Sequence, residues 1–198
     1  MSIHLAIIFW KILHTINKKG VIFIKPCIKF PIIFSAIALG VGGLSAIFTR
    51  ENMDIYERIN QPFFSPPSWV FPIAWGILYI LMGIGAGLVV CAPRNADKKP
   101  GAIFIWGLQL IVNFFWSIIF FNLQMFRASF VWLAFLLALI LFMVSAFSKV
   151  SKTAAYLQIP YILWVFFAGI LNLAIAILNW QKKKILSQKE KGFLFYIM

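Results

Sequence analysis

The sequence predicts an all-α integral membrane protein, a bundle of five transmembrane helices, on three observations. Of 198 residues, 63% are hydrophobic and only 12% are charged. Five apolar runs, about Phe30–Phe48, Val70–Ala92, Ala102–Phe126, Ala128–Ser148 and Thr153–Trp180, each approach or exceed the ~20 residues that cross a bilayer as helix. The runs are continuous where a strand barrel would alternate, so a barrel is excluded. Residues 30–180 therefore read as one transmembrane domain. An N-terminal extension, residues 1–29, and a basic tail, residues 181–198, flank it, and both are expected to be interfacial or disordered.

The extension mixes short apolar stretches with lysines and is too broken to span. Its charge follows the apolar run and no small-residue cleavage site is evident, so a signal peptide is not the reading. The first span is rich in small residues, Ser35, Ala36, Ala38, Gly40, Gly42, Gly43, Ser45 and Ala46, which permit close backbone approach. A long connection follows, from Thr49 to Ser68. Its segment Asp54–Ile59 reads as a short amphipathic helix, and a connection of that length in a compact bundle suits a lid, with a solvated linker as the alternative.

Pro66 and Pro67 then hold the chain extended up to the second span, whose start is expected near Ser68 as N-cap, with Pro72 able to shift it to about Val70. Phe71, Trp75 and Tyr79 are four residues apart and share one face of that helix. Gly83 and Gly87 form a Gly-x-x-x-Gly pattern, used both for helix dimers and for packing within one chain. In the third span Gln109, Asn113 and Trp116 share a face, and because an amide in lipid must find a partner, that face looks inward, either as structural glue between helices or as a ligand contact. The fourth span offers only Trp132 and is assigned to packing. The fifth opens on Pro160, where a kink is expected, and places Trp164 one turn from the small Ala168, as at a pocket edge, followed by Leu171, Asn172 and Asn179.

The net charge of +13 sits in short clusters beside the spans, such as Lys98–Lys99 and Lys182–Lys184, which reads as anchoring to anionic membrane lipid and not as binding of nucleic acid. Ten Lys and Arg fall on the N-terminal side and eight on the other, too even a split to set orientation. All five carboxylates, Glu51, Asp54, Glu57, Asp97 and Glu190, lie outside the spans, as do His4 and His14. Proton- or sodium-coupled transport is disfavoured, since its relays place ionisable groups within the membrane. Cys27 and Cys91 have no metal-ligand spacing, so neither a metal site nor a disulfide framework is expected.

Three blocks carry a resemblance: Pro66-Pro67-x-Trp69-Val70 with Trp75-Gly76-x-Leu78-Tyr79-x-x-Met82-Gly83; Gln109-x-x-x-Asn113-x-x-Trp116 with Phe120-Phe121; and Pro160-Tyr161-x-x-Trp164-x-x-Phe167-Ala168-x-x-Leu171-Asn172 with a closing Asn179. Over roughly Phe30 to Asn179 the chain resembles the tryptophan-rich sensory protein family, which includes the translocator proteins. The resemblance implies a five-helix bundle, often a homodimer, that binds tetrapyrroles such as protoporphyrin and haem and, in some members, sterol-like or benzodiazepine-type ligands. It requires no cofactor; the tetrapyrrole is the ligand. It also implies a pocket under the first loop between the second, third and fifth spans. The contacts carried over are Tyr56, Pro66, Phe71, Trp75, Tyr79, Gln109, Asn113, Trp116, Trp164, Ala168 and Leu171. Where many members have tryptophan two residues before the double proline, this chain has Phe64, which lacks the indole donor. Receptor, facilitated translocator and oxidative porphyrin-degrading enzyme all fit the resemblance. The spans hold no base, nucleophile or metal ligand, so catalysis would fall to the redox-active indoles Trp75 and Trp164.

Overall fold

In a computed structural model, residues 27–197 are described, with side chains through Asn179. The readings made for residues 1–26 and for the side chains of the tail lie outside the described residues. The described residues form helices joined by turns and irregular stretches: α1 (Lys29–Thr49), a 3₁₀ turn (Arg50–Asn52), α2 (Ile55–Arg58), α3 (Val70–Cys91), a second 3₁₀ turn (Ala96–Lys98), α4 (Lys99–Ser117) running into a π turn (Ile118–Asn122), α5 (Phe126–Ser148), α6 (Lys152–Tyr156) and α7 (Ile159–Ile197). Among the described residues, five segments are long and apolar enough to cross a membrane: Lys29–Asn52, Val70–Cys91, Ala96–Asn122, Phe126–Ser148 and Lys152–Asn179.

The most extensive helix pairing joins α1 to α3. A Cβ on Gly83 would fall on the backbone of Ser35, and one on Gly87 on the backbone of Pro31. The Gly-x-x-x-Gly face is therefore occupied by α1 of the same chain, and Ser35 Oγ adds a hydrogen bond to the Ile80 carbonyl at 3.0 Å. Gly42 of α1 in turn lies against the ring of Tyr79, leaving no room for a side chain. α1 also packs on α4, α5 lies between α4 and α7, and α6 abuts α3.

Local chemistry explains the boundaries. α3 starts at Val70 with no side-chain cap, so Ser68 does not cap it; its Oγ instead donates to Glu57 Oε1 of α2 at 3.0 Å. The third span stops short of Phe126, because Gln124 takes a left-handed φ of 52° and turns the chain before α5. With neither Gly nor Pro there, the sequence carries no breaker signal at that point. Ser151 caps α6, accepting from the Ala154 N–H at 3.3 Å. The break between α6 and α7 falls just before Pro160, whose missing N–H is harmless in the first turn of α7.

One expectation is overturned. Cys27 and Cys91 are joined by a disulfide, their Cα atoms 5.7 Å apart although 64 residues separate them in sequence. Antiparallel α1 and α3 bring the two residues to the same end of the bundle, a proximity that spacing along the chain does not reveal.

Because a side chain at Gly87 must displace the Pro31 backbone, Gly87→Val is expected to destabilise the bundle by about 1–3 kcal/mol, the usual cost of overpacking. Thermal unfolding in detergent measures it. Gly40→Ala, where no atom lies within 4 Å of the added carbon, should melt with the parent protein.

Candidate functional site

A cavity of about 350 Å³ opens at the end of the bundle that carries the long connection. Its walls come from four spans: Leu39, Gly42, Gly43, Ser45, Ala46 and Thr49 on α1, Phe71, Pro72, Trp75, Gly76 and Tyr79 on α3, Trp116, Ser117, Phe120 and Phe121 at the end of α4 and in the π turn, and Ala168, Leu171, Asn172 and Ile175 on α7. Met53 and Tyr56 close it from the connection. Among the described residues, no Asp, Glu, Lys, Arg or His lines it.

The lid is seated by side-chain-to-backbone bonds. The Tyr56 hydroxyl donates to the Pro66 carbonyl at 3.0 Å, Gln61 Nε2 donates to the Tyr56 carbonyl, and the Tyr56 ring packs edge-on against Phe71 at 5.1 Å. Burial holds the Tyr56 phenol above its ordinary pKa, so it stays a neutral donor through the physiological range. Asn179, at the end of the fifth span, clamps the far side: its Nδ2 donates to the Asn60 carbonyl at 3.0 Å and its Oδ1 accepts from the Asn60 N–H at 3.1 Å. Asn122 ties the ends of α1 and α4 together, donating to the Phe48 carbonyl at 2.9 Å and accepting from Asn52 Nδ2 at 3.2 Å.

Beneath the lid the aromatic face of α3 forms one wall. Trp75 and Tyr79 stack at 5.6 Å with their planes 30° apart, and Trp75 also meets Trp116 and Tyr161, each at 6.2 Å. The wider π turn after α4 adds Phe120 and Phe121 to the wall, with Phe120 5.7 Å from Trp116.

Of the candidates drawn from sequence, Tyr56, Phe71, Trp75, Tyr79, Trp116, Ala168 and Leu171 line the cavity together. Pro66 serves through its carbonyl as the acceptor that seats Tyr56. Gln109 and Asn113 lie behind the wall as interhelical partners. Tyr161 donates to Gln109 Oε1 at 2.8 Å, and Asn113 Nδ2 donates to the Tyr79 hydroxyl at 3.1 Å. Trp164 backs Phe71 at 5.9 Å and stands outside the lining. The buried indole N–H groups of Trp116 and Trp164 have no acceptor among the described residues. Sequence reasoning missed the α1 wall entirely. Its signal was the run of small residues, which serves both to admit α3 and to leave space below the lid. It also missed Ser129, which pairs with Asn172, each donating to the other, at 3.0 and 3.3 Å, and fastens α5 to α7.

Fold and site together define a multi-pass integral membrane protein whose helix bundle encloses an aromatic cavity beneath a proline-rich lid. The chain belongs to the TspO/MBR family, whose sequence profile it matches over residues 33–178. It is 39% identical over 152 residues to the tryptophan-rich protein TspO of Archaeoglobus fulgidus, covering 74% of this chain and 94% of the relative. Identity to the tryptophan-rich protein TspO of Chlorobaculum tepidum is 34% over 144 residues, covering 72% and 91%. To the translocator protein of Bos taurus it is 31% over 148 residues, covering 73% and 84%.

Removing the Asn179 clamp frees both backbone groups of Asn60 at once. Asn179→Ala should raise hydrogen exchange across residues 50–69 severalfold while exchange in the middle of α5 stays unchanged. Since the Tyr56 phenol has a raised pKa in the folded state, its contribution to lid order is complete below about pH 10, the ordinary tyrosine pKa, and is lost as pH climbs through the raised value.

Proposed function

We infer that the protein is a membrane receptor that takes a tetrapyrrole, protoporphyrin or haem, into the cavity under the first connection. The observation that carries this reading is the wall itself: Phe71, Trp75, Tyr79, Trp116, Phe120 and Phe121, with Tyr56 above and no Asp, Glu, Lys, Arg or His among the described lining residues. A flat apolar macrocycle gains most from such rings, which bury area and stack by offset or edge contacts. The cavity, at about 350 Å³, falls in the range of small-molecule sites, roughly 300–1,000 Å³. The carboxylates of the macrocycle would turn to the lid end, where the connection carries Arg50 and Arg58. Arg58 is 3.5 Å from Asp54 in an exposed pair, a contact of about 0–1 kcal/mol that leaves the guanidinium available to a stronger partner. A sterol offers one hydroxyl and no flat π surface, so it fits this wall less well.

A second reading, oxidative degradation of the bound porphyrin, draws on the contacts of Trp75. Its ring touches Trp116, Tyr79 and Tyr161, a cluster able to share an oxidising equivalent formed beside the ligand. Trp164 is set apart from that cluster, with Phe71 and Phe167 as its ring neighbours, so this reading assigns the chemistry to Trp75. Light- and oxygen-dependent loss of porphyrin absorbance should then vanish in Trp75→Phe while binding persists.

The binding reading is tested by titrating detergent-solubilised protein with protoporphyrin and following tryptophan fluorescence. Saturable quenching is expected, with affinity about two- to tenfold lower in Trp75→Phe, the loss of one aromatic contact, and unchanged in Trp69→Phe, whose ring is exposed on the connection. Quenching that is linear and identical in all three proteins would mean partition into detergent and would remove the reading. Charge reversal at both Arg50 and Arg58 should weaken binding, and unchanged affinity there would remove the carboxylate pairing alone.

A further inference from the structure

The disulfide lies at the end of the bundle opposite the cavity, yet it joins two helices that both line that cavity. Cys27 precedes α1 and Cys91 is the last residue of α3. From that end the seam runs through Gly87 on Pro31, Gly83 on Ser35 and the Ser35–Ile80 hydrogen bond, and reaches Gly42 against Tyr79. From that point on, residues of both α1 and α3 line the cavity.

α1 is the span least embedded in the bundle: 17% of its apolar window is buried, against 28–44% in the other four. Ile32, Ile33, Ile37, Leu44 and Ile47 are exposed on its outer side. In lipid no hydrophobic force presses such a helix onto its neighbours, so its position rests on close packing, a few hydrogen bonds and the covalent link. α1 also contributes more lining residues than α4 or α7.

We propose that Cys27 and Cys91 are a redox-controlled staple of the α1–α3 seam, and that its state sets how firmly α1 closes the cavity at the far end. In the oxidising direction two thiols of this chain exchange with a protein or small-molecule disulfide. One S–S bond forms between Cys27 and Cys91, and the incoming disulfide leaves as two thiols carrying both protons and both electrons. In the reducing direction a dithiol reverses the exchange, and α1 is held by packing and hydrogen bonds alone. The effect on ligand release rests on the tetrapyrrole reading above; the effect on α1 itself does not.

The test uses the full chain in lipid nanodiscs, oxidised or reduced, beside the double variant Cys27→Ser/Cys91→Ser. Mass after maleimide labelling should rise by no label in the oxidised protein and by two in the reduced protein. Hydrogen exchange in α1 over residues 39–49, without ligand, should be severalfold faster in the reduced protein and the double variant than in the oxidised protein. Protoporphyrin should leave those two forms severalfold faster as well. Two free thiols under oxidising conditions, or equal α1 exchange in all three proteins, would overturn the proposal. Changed α1 exchange with no saturable porphyrin binding in any form would uphold the staple and remove the tetrapyrrole reading instead.

Discussion

Without water between helices, a membrane bundle is organised by how closely backbones can approach, and here that approach occurs along one seam. Gly83 and Gly87 bring α3 onto the backbone of α1 at Ser35 and Pro31, and Gly42 admits the Tyr79 ring from the other side. Everything at the lid end inherits its geometry from this contact. Were α1 a side chain's width further out, Tyr79 would lose its backing and the cavity would lose a wall. The same seam explains why α1 can be the most lipid-exposed span and still line the site.

The second constraint is that polar side chains within the spans must be answered there. Gln109 with Tyr161, Asn113 with Tyr79, and Ser129 with Asn172 each link two different helices, and the Trp132 indole donates to the Val112 carbonyl at 2.8 Å. Such bonds average about 0.6 kcal/mol apiece in membrane proteins, so their value lies as much in register as in stability. Two of them also fix rings next to the cavity. Asn113 sets the Tyr79 hydroxyl, and Gln109 sets Tyr161, which in turn bears on Trp75. The amides that the sequence singled out thus shape the wall from behind.

The lid completes the division of labour. Prolines make the stretch before α3 stiff, but stiffness does not seat it. Seating comes from Tyr56 on the Pro66 carbonyl, Ser68 on Glu57 and Asn179 on Asn60, bonds spanning separations from 10 to 119 residues. Phe64, in place of a tryptophan, contributes a ring contact with Phe167 at 6.5 Å and no donor. The polar work of closure therefore falls on Tyr56, Gln61, Ser68 and Asn179.

The sequence by itself determined the number of spans, their approximate limits, the inward faces of the second and third, and the aromatic ladder Phe71–Trp75–Tyr79. These follow from local properties, namely run length, helical periodicity and the cost of an unpaired amide in lipid. It also carried the family resemblance that the sequence profile upholds. Only the tertiary structure decided which small residues face which helix, that α1 rather than another copy covers Gly83 and Gly87, and that Trp164 stands behind Phe71 while Phe120 and Phe121 line the wall. The turn at Gln124 and the joining of Cys27 to Cys91 belong with these. Each depends on residues far apart in the chain meeting in space, or on a backbone conformation that no glycine or proline announces, and neither leaves a mark on a linear pattern.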